Sequence, residues 1–151
     1  IGTIRSFLPL PWRIMTPVVG EYLFATEMAP GLPAGQMTDF KHPERFPDWS
    51  ARYRVQMQYH GFRHALLSTL RHYATSDWSA EYACATRTGV PAYLIWGKED
   101  RDVPASLSGE FKKLMPKAEL LVVEDAAHVP FLERPEVVLP VLLRFIEGAG
   151  I

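Results

Sequence analysis

Hydrophobic positions follow one rhythm in the first half of the chain and another in the second. Trp12, Met15, Val19, Tyr22 and Leu23 recur at helical spacing on both sides of Thr16-Pro17. Thr can cap exposed N–H groups and Pro fits a first turn, so the pattern predicts two short helical pieces bent at the proline. From Ala29 to Pro47 the residues Pro30, Gly31, Pro33, Gly35, Pro43 and Pro47 predict a long loop without regular structure, of the kind that is usually functional. Helix is expected again over 49–58 and 62–73, with Phe62, Ala65, Leu66, Leu70 and Tyr73 on one apolar face.

The second half changes period. Val90 to Trp96 is a nearly all-apolar run after Gly89, which predicts a strand buried on both faces of a parallel sheet. Leu107, Phe111, Leu114 and Met115 then fall at i, i+4, i+7 and i+8, a helix that must end before Pro116. Glu119 to Val123 is a second strand. Pro135 opens a last helix carrying Val138, Val141, Leu142, Phe145 and Ile146, bent at Pro140 and stopped at Gly148. The order is a βαβα unit with parallel strands and an expected right-handed crossover. The change in composition near Thr75 to Trp78 divides the chain into 1–75 and 76–151.

Composition narrows the function classes. With 151 residues, 48% hydrophobic and 22% charged, the chain can bury a core and is not of disordered type. A net charge of −1 without a basic block argues against nucleic-acid binding. The apolar-looking stretch 4–25 is broken by Arg5, Arg13, Glu21 and several prolines and glycines, so no membrane span is expected. The lone Cys84 excludes an internal disulfide, and with no leader pattern after Ile1 it leads us to expect a cytoplasmic protein.

In an open parallel sheet, reactive groups collect in the loops after the carboxyl ends of the strands. Each such loop here offers a titratable residue: Asp100 in Gly97-Lys98-Glu99-Asp100-Arg101-Asp102-Val103-Pro104, and His128 in Ala127-His128-Val129-Pro130. Neighbouring parallel strands lie about 4.8 Å apart, close enough to bring a carboxylate to an imidazole. Such a pair is two thirds of a nucleophilic triad. Asp102 is the rival acid, or a cap for the helix after Val103. Glu133 is read as support for the histidine loop or as a residue preceding the last helix. His60 and His64 have a metal-compatible i, i+4 spacing, but Gly61 interrupts them and no third ligand is evident, so no metal is expected. His42 and His72 are read as exposed.

The segments VPAYLIWGKEDRDVP and AELLVVEDAAHVPFLERPE resemble the α/β-hydrolase family, which has there a strand, a Gly-x-x-Asp loop ending in Val-Pro, a second strand, the catalytic histidine and a Glu-x-Pro. The resemblance implies Asp100 as the triad acid and His128 as the base. It implies a helical cap or lid over 1–75 and the C-terminal part of the hydrolase core over 76–151. The implied fold is α/β, a partial α/β-hydrolase fold in which a helical cap precedes the βαβα unit and the nucleophile-bearing N-terminal half is absent. None of Ser6, Ser50, Ser68, Ser76, Ser79, Ser106 and Ser108 stands in a Gly-x-Ser-x-Gly elbow, and Cys84 has no elbow either.

From this follow expectations about function. In complete form the protein is a serine-type hydrolase of ester or related acyl bonds. It needs no cofactor and takes a small hydrophobic ester-like substrate, with Val103, Val129, Trp12 and Phe24 as substrate-binding residues. An Asp nucleophile would make it a haloalkane dehalogenase or epoxide hydrolase, and carbon–carbon bond hydrolysis by a serine member is equally open. The alternative from another class is a non-catalytic truncated module that acts in an assembly. The chain alone is expected to be inactive. With only two strands in its sheet, it should be unstable or assembled with the missing N-terminal half or a second copy.

Overall fold

The computed structural model describes residues 12–73 and 76–149. Its elements fall into two compact units, one of residues 1–38 and 44–77, the other of 39–43 and 78–151.

The first unit is helical. A 3-10 turn at Trp12–Met15 and α1 (Val19–Leu23) flank Pro17, with a π-helical turn at Phe24–Met28 after them. The helix begins two residues past the proline, because Val18 at φ 66° takes the boundary position and Thr16 receives the Gly20 N–H on its carbonyl at 2.8 Å. The segment expected to be an irregular loop is instead a string of single helical turns: a 3-10 turn at Ala29–Gly31, α2 (Leu32–Gly35), and further 3-10 turns at Gln36–Asp39 and Pro43–Arg45. Pro30 and Pro33 sit in first turns, where no N–H is needed. Two further helices, α3 (Trp49–Gln56) and α4 (Phe62–Ser68), complete the unit, and α4 runs into a π-helical turn at Thr69–Tyr73.

The core of this unit joins Ile14, Phe24, Ala29 and Leu67, with Met28, Leu32, Met57, Leu66 and Leu70 against it. Leu67 is the deeply buried residue of α4, while Ala65 is exposed. Arg71 ties the unit's ends together, donating to the carbonyls of Ile14 at 3.0 and 2.8 Å and Thr16 at 3.0 Å and to Glu21 Oε1 at 2.6 Å. That convergence leaves no room at position 20, where a Cβ would lie 2.2 Å from the Ile14 carbonyl oxygen.

The second unit carries the sheet. Preceded by α5 (Ser79–Thr88), β1 (Tyr93–Gly97) pairs in parallel with β2 (Glu119–Val123), Tyr93 opposite Glu119 and Gly97 opposite Val123. Between them lie a 3-10 turn at Ala105–Leu107 and α6 (Ser108–Leu114), and after β2 come α7 (Pro130–Glu133) and α8 (Pro135–Ala149). Aromatic and β-branched residues fit the pleated strands. Strand β1 starts later than expected and is only half-buried, Val90 being exposed outside it, because the sheet has two strands among the described residues and neither strand is covered on all sides. The helix α5 has no counterpart in the elements the sequence pattern predicts. It is fastened by the Tyr82–Phe111 ring contact and by Thr86 Oγ1 donating to the Leu114 carbonyl at 3.1 Å.

Val123, Ala126 and Val138 form the core beside the sheet, joined by Ile95, Leu121 and Val137. Phe145 of α8 packs edge-on against Tyr93 at the start of β1. Leu139, Leu143 and Ile146 on the same helix are exposed. No helix among the described residues is long and apolar enough to cross a membrane.

Candidate active site

Both strands end at the same sheet edge, and the loops that leave them are laced together. Lys98 N–H donates to the Val123 carbonyl at 2.9 Å, and Glu99 N–H to the Ala126 carbonyl at 3.0 Å. Glu99 Oε2 accepts the Ala126 N–H in return at 3.1 Å. Gly97 permits this closeness, since a Cβ there would sit 1.8 Å from the Ala127 carbonyl oxygen.

Asp100 leaves that turn with both carboxylate oxygens committed. Oδ1 accepts the N–H groups of Asp102 and Val103, each at 2.9 Å, a closed turn that fixes the carboxylate plane. Oδ2 faces His128 Nδ1 at 2.9 Å. The acid side chain is 6% exposed and the imidazole 42%, so the carboxylate is sheltered and the ring is reachable. The two candidates are therefore brought together, 28 residues apart in sequence and one hydrogen bond apart in space.

Partial burial opposes charge on His128, but the Asp100 hydrogen bond and charge, with the fields of Asp102 and Asp39, outweigh it and raise its pKa above 6.5. Asp39 is itself pushed up to about 6, first by burial and then by the charge of Asp102, with which it shares a hydrogen bond. Asp102 thus faces Asp39 and His128 and does not replace Asp100 as the ring's partner. Asp100, Asp102 and His128 have donor atoms within 4.8 Å of one another. Asp100 Oδ1 already accepts two backbone amides and Oδ2 faces the imidazole, so the closeness of these groups is accounted for by hydrogen bonds among themselves.

Sequence reasoning missed a segment. Residues 39–43 lie along the histidine loop: the His128 N–H donates to the Asp39 carbonyl at 2.9 Å. Lys41 Nζ binds Glu99 Oε1 and Asp125 Oδ1, both at 2.8 Å, and His42 Nε2 meets Asp125 Oδ1 at 2.9 Å. Hydrogen bonds from Lys41 and His42 hold the Asp125 carboxyl well below the usual carboxylate range. His42, expected to be exposed, is half-buried because it completes this network, while His72 is exposed as expected. The only sequence signal was that a long Pro/Gly-rich segment tends to be functional. Glu133 does support the histidine loop, accepting the Ala127 N–H at 2.6 Å.

Val103 and Val129 are half-buried beside Asp100 and His128 in the chain, and the Val103 carbonyl accepts the Trp96 indole N–H at 2.8 Å. Phe24 is 1% exposed in the core of the first unit. The side chain of Trp12 lies outside the described residues. Within the first unit, Phe24, Met57, Phe62, Leu67, His60 and His64 help to line an open cleft of about 620 Å³.

A model of the alpha/beta hydrolase family matches residues 3–141. Among curated proteins, Lipase 1 of Psychrobacter immobilis is 32% identical over 44 residues, 29% of this chain and 14% of that protein. The AB hydrolase superfamily protein YfhM of Bacillus subtilis is 32% identical over 59 residues, 39% of this chain and 21% of that protein. A cis-3-alkyl-4-alkyloxetan-2-one decarboxylase of Xanthomonas campestris is 30% identical over 57 residues, 38% of this chain and 19% of that protein. The matched stretches thus span about a fifth or less of these relatives' lengths. With the family model running over most of its residues, the chain belongs to the alpha/beta hydrolase family.

Proposed function

We propose that Asp100 and His128 are the acid and base of a nucleophilic triad, and that the whole protein hydrolyses ester or related acyl bonds through an acyl-enzyme. The observation that carries this reading is the 2.9 Å approach of Asp100 Oδ2 to His128 Nδ1, made by a carboxylate whose other oxygen is anchored on two backbone amides. Asp100 accepts a hydrogen bond from Nδ1–H, which keeps that proton on Nδ1 and leaves Nε2 as the basic nitrogen. That nitrogen takes the proton of an attacking hydroxyl, hands it to the leaving group, and in the second half-reaction activates water. As positive charge grows on the ring, the sheltered carboxylate stabilises it.

The hydroxyl and the oxyanion donors belong, in this reading, to residues outside the 151, since no serine here stands in a glycine elbow. The first unit serves as the cap. Its cleft has the volume and apolar floor of a small-ligand site. Val103 and Val129, flanking the catalytic pair in sequence, form part of the substrate wall. The name of the lipase relative supports acyl chemistry. The two-stranded sheet among the described residues, with Val122 of β2 38% exposed, supports a sheet that continues beyond them.

Hydrolysis of a chromogenic ester by the form that carries the elbow tests the reading. His128→Ala and Asp100→Asn are each expected to lower kcat by roughly 10³ to 10⁴, and losses below tenfold contradict it. The 151 residues alone are expected to take no label from a fluorophosphonate probe. Stoichiometric labelling of one of their serines would show a nucleophile within them.

A further inference from the structure

Three backbone donors from two separate segments converge on one buried side chain. Glu133 is 5% exposed. Its Oε2 accepts the Ala127 N–H at 2.6 Å, and its Oε1 accepts the N–H groups of Lys41 at 2.7 Å and His42 at 3.0 Å. We propose that Glu133 is a positioning residue for His128, acting through the main chain of residues 127 and 128 and through the 39–43 segment as a strap. The proposal rests on the reading of Asp100 and His128 as a catalytic pair.

The consecutive amides of Ala127 and His128 are held by different partners that share one anchor. Ala127 N–H goes directly to Glu133, while His128 N–H goes to the Asp39 carbonyl at 2.9 Å, and the strap bearing Asp39 is itself fixed to Glu133 two and three residues further on. Lys41 reinforces the strap from outside by bridging Glu99 of the acid loop and Asp125 of the histidine loop. With its backbone held at two successive positions, the root of the His128 side chain is fixed beside the Asp100 loop, where Nδ1 reaches Oδ2. A carboxylate is chemically required at the junction. Each of its two oxygens faces N–H donors, whereas an amide of the same shape must turn an NH₂ group toward one set and leave a buried donor unmet.

The experiment is an NMR titration of the five imidazoles of the intact chain, with His128 assigned by His128→Gln. Asp100→Asn is expected to lower the His128 pKa, which checks the pair itself. Glu133→Gln is expected to lower it in the same direction by roughly one unit with Asp100 intact, because the charged form loses its aligned partner. Phe145→Ala, which loosens the opposite end of β1, is expected to lower the melting temperature while leaving the His128 titration unchanged. A wild-type titration in Glu133→Gln, or an equal shift in Phe145→Ala, overturns the positioning role. An unchanged His128 in Asp100→Asn overturns the pair instead. Should Glu133→Gln not fold, amide exchange in the wild type decides: Ala127, Lys41 and His42 are expected to be protected like β2, and exchange at the rate of open loops overturns the proposal.

Discussion

At the scale of single residues, the site is governed by charge held out of water. Asp39 and His128 both have raised pKa values in the fold, and the sign of each contribution follows. A raised carboxyl binds its proton more tightly when folded, so its stabilising contribution is lost as pH climbs from about 4 through about 6. A raised imidazole contributes fully below about 6.5 and loses that contribution as pH climbs through its folded pKa. Glu99, lowered chiefly by the Lys41 hydrogen bond, acts oppositely and weakens the fold only in acid. The melting temperature is therefore expected to fall as pH climbs from about 5 past 6.5, and Asp39→Asn is expected to flatten the lower part of that slope and raise stability above it. A melting temperature that rises across this interval contradicts the assignment. Asp100 and His128 were legible in the sequence because each follows an apolar strand at a motif-bearing turn. Asp39 was not, because its backbone oxygen, which no residue type encodes, makes the contact to His128.

At the scale of elements, two glycines and one proline-rich segment decide how closely the pieces approach. Gly97→Ala is expected to destabilise the second unit by about 3 kcal/mol, the upper end of overpacking, since the obstructing atom is a backbone oxygen that cannot rotate aside. Chemical denaturation checks this, and a loss below about 0.5 kcal/mol would show that the loops separate without penalty. Val138→Ala removes two methyl groups from a residue 1% exposed and is expected to cost about 2 kcal/mol by the same measurement. The strand Glu119 to Val123 emerged with its expected bounds because its alternatives end at Pro116 on one side and at the charged loop on the other. The helix Ser79–Thr88 leaves little trace in the sequence pattern because Ala80, Ala83, Cys84 and Ala85 give little amphipathic contrast; its ring contact through Tyr82 is tertiary. The 29–47 segment forms single helical turns where its composition predicts a loop, because prolines that forbid long helices suit first turns well.

At the scale of the whole molecule, the family follows from the match over residues 3–141, while the proposed activity rests on the geometry of Asp100 and His128. Among the described residues the sheet stops at two strands, with exposed side chains at Val122, Phe131, Leu139 and Leu143. Size-exclusion with light scattering is expected to find the 151-residue chain self-associated or partly unfolded, and a compact, concentration-independent monomer would contradict an incomplete sheet. The central claim, that Asp100 fixes His128 with its basic nitrogen free, is read most directly by the ¹⁵N spectrum of His128 above its pKa. The expected result is the tautomer with the proton on Nδ1, lost in Asp100→Asn. A proton on Nε2 in the wild type would contradict the account, because the nitrogen that must accept a proton would already hold one.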